Sequence, residues 1–203
     1  MACADRPDSV SPDPSPWVER FAPLIAEGGT VLDLACGGGR HSRYLSGLGH
    51  PLVSVDVDVS GLSDLASSER MEIIEADLEA GPWPLDGRRF EAIVVTNYLY
   101  RPLLPRLLES LASDGVLIYE TFGIGHEKLG RPHNPAFLLE PGELLDACTP
   151  SLTIVAYEHV REEDPRPAVR QRICAVTTTA FARVQSRIGP SGHPPPVPLQ
   201  SNP

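Results

Sequence analysis

Apolar residues in this chain fall into two kinds of stretch. The first kind is short and nearly continuous: 30–35, 52–56, 71–75, 91–96, 116–121, 152–157 and 172–178. Such runs predict strands buried on both faces. The second kind repeats every three or four positions and predicts helices. Trp17, Phe21, Leu24 and Ile25 share one face of a helix over 16–26, with Pro16 suited to its first turn. A helix from Arg40 is expected to bury Tyr44, Leu45 and Leu48 and to stop at Gly49. Ser60 is placed to cap a short helix carrying Leu62, Leu65 and Ala66. A helix from Pro102 presents Leu103, Leu104, Leu107, Leu108 and Leu111, and another short one covers 143–148. The link from 76 to 90 holds Gly81-Pro82-Trp83-Pro84 and is too broken for a full helix.

Strands alternating with helices predict an α/β fold with a mostly parallel sheet covered on both faces. The last two strands flank a charged segment, 158–170, with no helix between them. They are expected to pair antiparallel. The 122–140 stretch reads as a long loop rich in Gly, Pro, His and Asn, either functional or disordered.

Composition refines this picture at the ends. Ten of the 22 prolines fall within residues 7–16 and 190–203. Those ends cannot bury enough apolar surface to offset ordering, so disordered tails are expected at 1–15 and 181–203 around one domain at 16–180. Pro194 to Pro198 reads as plain tail rather than a polyproline ligand. The net charge of −10 disfavours nucleic acid as a partner without excluding a small arginine-lined footprint. No apolar run is long enough for a transmembrane helix, and 1–7 holds no apolar signal core. Cys3, Cys36, Cys148 and Cys174 lack metal-ligand spacing. They read as reduced thiols of a cytoplasmic protein, with no metal site expected. Cys36 is a candidate for alkylation, although a small packed side chain is the simpler reading.

The candidate chemistry starts at Thr30-Val31-Leu32-Asp33-Leu34-Ala35-Cys36-Gly37-Gly38-Gly39-Arg40-His41. This is a strand, an acid, a small-residue turn and a helix start. Backbone can approach a ligand closely only where side chains are absent. Asp56 ends the second strand, where it would sit beside that turn and accept from ribose hydroxyls. A dinucleotide turn needs a third glycine where Ser42 stands. A pyrophosphate would also meet the like charge of Asp33. S-adenosylmethionine is a cation without phosphate and suits the acid.

Val31-Leu32-Asp33-Leu34-Ala35-Cys36-Gly37-Gly38-Gly39 resembles the first motif of class I S-adenosylmethionine-dependent methyltransferases, with Ala35 replacing the first glycine. The resemblance continues in order through Asp56, Ile74-Glu75-Ala76-Asp77-Leu78, 90–97 and 114–120, and so spans about 16–178. Gly39-Arg40-His41-Ser42 is similar to the tellurite-resistance-type subgroup. The resemblance implies a Rossmann-like, seven-stranded, mostly parallel sheet with an antiparallel last strand and helices on both faces. It also implies S-adenosyl-L-methionine as cofactor. Asp33, Ala35, Cys36, Gly37, Gly39, Arg40, Asp56, Val57, Asp77, Leu78 and Asn97 are the expected cofactor contacts. Asp33 is expected to orient the turn and the methionine ammonium, Asp56 the ribose and Asp77 the adenine amino group. Asp58 is the local competitor of Asp56, and Trp83 either covers adenine or packs under its loop. Arg40 and His41 at the turn's mouth bind the methionine carboxylate or an anionic acceptor, or form an exposed first turn.

Ligands of open α/β sheets bind beyond the carboxyl ends of strands. Asn97, Tyr98, Tyr100 and Arg101 are therefore expected to face the acceptor, with Thr121, Arg131, Asn134, Arg170, Gln171 and Arg172 as further candidates. The tyrosine rings would wall the methyl channel or simply pack. The sulfonium already activates its methyl group, so a base is needed only for a protonated acceptor; Glu120, His126 and His133 are the candidates, with Tyr98 beside them. The leading expectation is a methyltransferase acting on a small or anionic acceptor, as a monomer or homodimer away from membranes. An RNA methyltransferase, a nicotinamide-dependent oxidoreductase and a non-catalytic binding module are the alternatives. Thr96-Asn97-Tyr98-Leu99 stands where an amino-group methylation motif would, which disfavours adenine or glutamine nitrogens.

Overall fold

The computed structural model describes residues 13–164 and 166–185. The expected tail segments 1–12 and 186–203, with Cys3 and the Pro194 to Pro198 run, lie outside the described residues. Seven strands form one sheet: β1 (Val31–Leu34), β2 (Leu52–Asp56), β3 (Met71–Glu75), β4 (Phe90–Thr96), β5 (Leu111–Phe122), β6 (Thr153–Glu162) and β7 (Ala168–Val176). Their order is β3-β2-β1-β4-β5-β7-β6. The first five are mutually parallel, and β7 runs antiparallel to both β5 and β6. This is the expected sheet, reversed strand included.

Successive residues of a strand face opposite sides, so continuous apolar runs feed two cores at once. On one side Val31, Val94, Ile118 and Cys174 pack under α1 (Pro16–Phe21), α2 (Arg40–Gly47) and α5 (Thr178–Gln185). On the other, Leu32, Val95, Leu117 and Ile173 pack with Leu107 of α3 (Leu104–Glu109) and Leu144 and Cys148 of α4 (Glu143–Cys148).

Several boundaries differ from expectation, each for a local reason. Leu48 is exposed, because α2 turns His41 and Ser42 inward with Leu45. The helix expected from Ser60 is a single 3-10 turn, Ser60–Leu62, without a side-chain cap; Asp58 accepts from the Ser60 N–H in a local turn instead. Leu111 begins β5 rather than ending α3. The charged 158–170 segment mostly forms the β6–β7 ladder, its charges paired across strands. Residues 181–185, expected in a disordered tail, complete α5, where Ala180 and Val184 are buried. The 122–140 loop is built of two 3-10 turns, His126–Lys128 and Pro135–Phe137. Arg101 fixes it, donating to the carbonyls of Ala136 and Leu138 and pairing with Glu143 at 2.6 Å. Among the described residues, no helix is long and apolar enough to cross a membrane.

Candidate active site

The site lies where β1 and β2 end. Three residues of the turn leaving β1 adopt left-handed backbone: Ala35 (φ 53°), Gly37 (φ 54°) and Gly39 (φ 76°). A Cβ on Gly37 or Gly38 would meet nothing within 4 Å, so the backbone there faces open space. The Gly37 N–H donates to Asp56 at 2.7 Å, and the Asp58 N–H donates to its other oxygen at 3.1 Å. One carboxylate thus sets the turn and the chain leaving β2. Asp58 itself is exposed and spends its side chain on the Ser60 turn.

Asp33 is only 1% exposed. Ser42 donates to it at 2.5 Å and lies 2.9 Å from Ser54. The serine that breaks the dinucleotide pattern therefore serves as the partner of the strand acid. Burial pushes Asp33 up to about 6, with the Ser42 bond opposing. Burial also pushes the Cys36 thiol up, helped by Asp33 and Asp56, so it is a poor target for alkylation.

A residue the sequence reading passed over completes the turn. Arg43, on α2, donates to the carbonyls of Gly38 and Gly61 at 2.5 and 2.6 Å and pairs bidentately with Asp64 at 2.7 and 2.9 Å. A Cβ on Gly61 would come within 3.2 Å of the Gly38 Cα, so the β2–β3 connection seats directly on the glycine turn. No local pattern in the sequence announces a fork that spans three segments.

Farther along the rim, Asp77 accepts from the N–H groups of Glu79 and Ala80, which hold its carboxyl below the usual range. Leu78 is buried beside it, and Trp83 packs partly buried against the core. Val57, the residue after Asp56, is a large apolar side chain 50% exposed.

The other half of the rim is a polar network. His41, expected at the mouth, is buried: its Nε2 accepts from the Ser15 N–H at 3.0 Å and its Nδ1 lies 3.3 Å from the Thr96 hydroxyl. These bonds require the neutral ring, with its proton on Nδ1. Burial, then Arg40, pull His41 down to about 3, which removes it as an anion ligand. Arg40 donates to the Asp13 carbonyl at 3.1 Å.

Glu120 is also buried, paired with Arg172 and accepting from the Ser15 hydroxyl at 3.0 Å. Arg172 further pairs with Glu158 and Glu162. Arg170 donates to Asn97 Oδ1 at 2.8 Å and stacks over Phe122. Asn97 has left-handed backbone (φ 54°). Gln171 is buried, bonded to Glu140 and Tyr157.

The loop histidines hold the loop. His126 donates from Nε2 to the Arg131 carbonyl and accepts at Nδ1 from Val169, so both ring nitrogens are engaged. His133 is exposed and bonds the Glu127 carbonyl at 3.0 Å. Asn134 caps the Pro135–Phe137 turn. The base candidates Glu120 and His126 therefore both have structural bonds that proton abstraction would have to break. Among the described residues, no group of three or more His, Cys, Asp or Glu is placed to hold a metal.

A family model described as tellurite resistance protein TehB matches residues 19–101, which carry the glycine turn and the Asp56 and Asp77 rim. No curated protein matches the chain in sequence. Among solved structures, TehB from Haemophilus influenzae is 20% identical with a TM-score of 0.61; the match covers 77% of this chain and 60% of that one. This chain therefore matches less than two thirds of that protein's length. A TehB-like SAM-dependent methyltransferase from Corynebacterium glutamicum is 19% identical, with TM-score 0.56 and coverage of 80% and 87%. The 1,6-didemethyltoxoflavin-N1-methyltransferase of Burkholderia thailandensis, solved with S-adenosylhomocysteine, is 20% identical, with TM-score 0.60 and coverage of 80% and 76%. The fold is that shared by these methyltransferase structures.

Proposed function

We propose that this chain, whose fold and family-model match are those of class I methyltransferases of the tellurite-resistance type, is an S-adenosylmethionine-dependent methyltransferase with a small-molecule acceptor. The observation that carries the reading is the Asp56 carboxylate bonded to the Gly37 N–H at the carboxyl ends of β1 and β2. That arrangement presents acid and bare backbone where a nucleoside would lie. The residues fit the cofactor on four counts: open space over Gly37 and Gly38, the exposed apolar Val57, the acid at 33, and the acid at 77.

When bound, S-adenosylmethionine supplies a methyl group already activated by its sulfonium. Asp56 is positioned to accept from the ribose, and Val57 and Leu78 to border the base. Asp33, held by Ser42, supplies negative charge for the methionine ammonium. Asn97, set by Arg170, borders the acceptor side. What remains for the protein is alignment and exclusion of water, and no obligatory base is assigned. The acceptor side of the rim carries Arg40 and Arg170, which suits a small anionic acceptor. The chain's net charge of −10 disfavours RNA. A cytoplasmic location agrees with Cys36, Cys148 and Cys174 being free thiols.

Calorimetric titration with S-adenosylhomocysteine tests the reading. Wild type should bind at micromolar concentration. Asp56→Asn keeps one acceptor for the Gly37 N–H and should bind at least tenfold more weakly. No binding by wild type at millimolar ligand overturns the proposal.

A further inference from the structure

Ser15 opens α1 and is only 3% exposed. A helix cap needs an acceptor, and the Ser15 hydroxyl supplies it, accepting from the Trp17 N–H at 3.2 Å. Its carbonyl accepts from the Glu19 N–H at 3.0 Å in the same turn. Its donors go elsewhere. The hydroxyl donates to Glu120 at 3.0 Å, and the backbone N–H donates to His41 Nε2 at 3.0 Å. An aspartate would cap α1 as well, but it could not donate and would set a second carboxylate against Glu120. Serine at this position therefore answers to Glu120 as much as to the helix.

The partners of those donors meet at one place in the fold. Glu120 stands opposite Thr96 in the β4–β5 register, near the carboxyl ends of both strands. His41 follows the glycine turn by two residues, and its Nδ1 lies 3.3 Å from the Thr96 hydroxyl. Arg40, beside it, donates to the Asp13 carbonyl at 3.1 Å. Segment 13–15 is thus tied to the first turn of α2 and to β5, with the end of β4 between them.

The strand order assigns this junction to one half of the cleft. β2 and β3, with Asp56 and Asp77 beyond their ends, lie on one side of β1, and β4 and β5 lie on the other. The entry of the glycine turn is fixed from the first side, by Asp56 on the Gly37 N–H and Arg43 on the Gly38 carbonyl. Its exit, Gly39-Arg40-His41, is fixed from the second side by segment 13–15. A ligand with its nucleoside over β2 and β3 must run its remaining part past that exit.

We infer that Ser15 is a positioning residue for the amino-acid end of the cofactor: by holding segment 13–15 against Glu120 and His41, it sets the exit of the glycine turn. The inference rests on the cofactor reading above. Ser15 acts through α2 and touches no ligand itself. Removing its hydroxyl releases the segment from β5, and with it the carbonyl that holds Arg40. Asp56 and Arg43 still hold the nucleoside half. The effect should therefore fall on ligands that carry the amino acid and spare those that end at the nucleoside.

The test compares wild type, Ser15→Ala and Ser15→Thr, using two ligands by calorimetry and urea unfolding without ligand. The ligands are S-adenosylhomocysteine and 5′-methylthioadenosine, which keeps the nucleoside and lacks the amino acid. Ser15→Ala should bind S-adenosylhomocysteine about three- to tenfold more weakly, the worth of one hydrogen bond, and bind 5′-methylthioadenosine as wild type does. Ser15→Thr keeps a hydroxyl that can cap and donate, and should bind both ligands as wild type does. A merely structural cap predicts lower stability of Ser15→Ala in urea with both affinities unchanged. That result overturns the inference and leaves the cofactor reading standing. Equal weakening for both ligands also overturns it, because the junction would then serve the whole cleft. Wild type that binds neither ligand overturns the inference together with the reading beneath it. If Ser15→Ala fails to fold, amide exchange in wild type decides. S-adenosylhomocysteine must slow exchange over 13–17 and 40–42 more than 5′-methylthioadenosine does, and equal protection by the two, or none, overturns the inference.

Discussion

Arg43 donates to the carbonyl oxygen of Gly38 at 2.5 Å, tying the first turn of α2 to the backbone of the glycine turn. The same guanidinium reaches Gly61 and Asp64, so the β2–β3 connection and the glycine turn share one clamp. The Arg43–Asp64 pair is well exposed and contributes little by itself. The bonds to two carbonyls set the spacing between the segments that border the cofactor cleft.

Arg43→Ala should therefore weaken S-adenosylhomocysteine binding more than it weakens the fold. We expect a three- to tenfold rise in Kd with a stability loss of about 1 kcal/mol. Amide exchange over 57–66 should speed up. Arg43→Lys should not restore affinity, because an ammonium cannot span three acceptors with a planar fork. Equal Kd values for wild type and Arg43→Ala would assign the clamp to stability alone.

Ala35 and Asn97 are the two non-glycine residues with positive φ among the described residues, and they should respond oppositely to glycine. Ala35 carries a Cβ in left-handed backbone without a side-chain bond to compensate, so Ala35→Gly should stabilise by about 0.5–1 kcal/mol. Asn97 tolerates the same backbone better and uses its side chain to hold Arg170 at 2.8 Å. Asn97→Gly should destabilise by about 1 kcal/mol by releasing that arginine. Urea unfolding of both variants decides the pair. Stabilisation by both would mean the Arg170 bond contributes nothing.

These two positions also mark how far the sequence could be read. The strands followed from continuous apolar runs, because a sheet buried on both faces writes its pattern directly into the chain. The reversed last strand followed from the missing helix between 157 and 172. Asp33, Gly37, Gly39 and Asp56 were legible because a bare turn between two acids has few other uses. The pairing of the last two strands was legible, but the extension of their ladder through 158–162 and 168–171 was not, because those positions carry charges that pair across strands and look like a loop in one dimension. The partners of His41, Glu120 and His126 were hidden for the same reason. His41 was read as an anion ligand or exposed turn residue and Glu120 and His126 as base candidates, and each is bonded to a residue distant in sequence: Ser15, Arg172 and Val169. Arg43 was invisible because its partners lie on three separate segments.

His41 gives the fold a pH dependence of definite sign. Its pKa is lowered from 6.5 to about 3 on folding, chiefly by burial. The neutral ring is the folded form, so its contribution is intact above 6.5. It declines as pH falls from there toward 3, because the unfolded chain takes up a proton that the folded chain refuses. His41→Gln, which can still accept from the Ser15 N–H, should flatten this decline in urea titrations between pH 6.5 and 4. If the variant and wild type fall in parallel, the ring is not held neutral.

Glu120 offers a choice between framework and chemistry. It is buried against Arg172, which is itself mostly buried among Glu158 and Glu162. Removing one member of such a pair leaves a charge without compensation, at a cost of about 3–5 kcal/mol. Glu120→Ala should lower stability by that order, and Glu120→Gln by less, since the amide still accepts from Arg172 and from Ser15. If Glu120 were instead a general base, Glu120→Gln would keep full stability and cofactor binding while losing turnover. Chemical unfolding and S-adenosylhomocysteine titration separate these outcomes without knowledge of the acceptor.

Asp33 links cofactor binding to pH in the opposite sense from an ordinary surface acid. Burial raises its folded pKa from 3.8 to about 6. Its contribution to stability is therefore most favourable below 3.8 and is lost as pH rises through about 6, where a buried carboxylate must ionise. A ligand ammonium bound against Asp33 reverses that cost by stabilising the charged form. S-adenosylhomocysteine should therefore bind more tightly as pH rises from 5 to 7 and should expel a fraction of a proton from the protein near pH 6. Calorimetry in two buffers of different ionisation enthalpy measures that proton directly. Asp33→Asn should abolish the release and flatten the pH profile. 5′-Methylthioadenosine, which has no ammonium, should show neither effect even with wild type. Proton release with both ligands would place the linkage at another acid of the rim and remove Asp33 from the ammonium site.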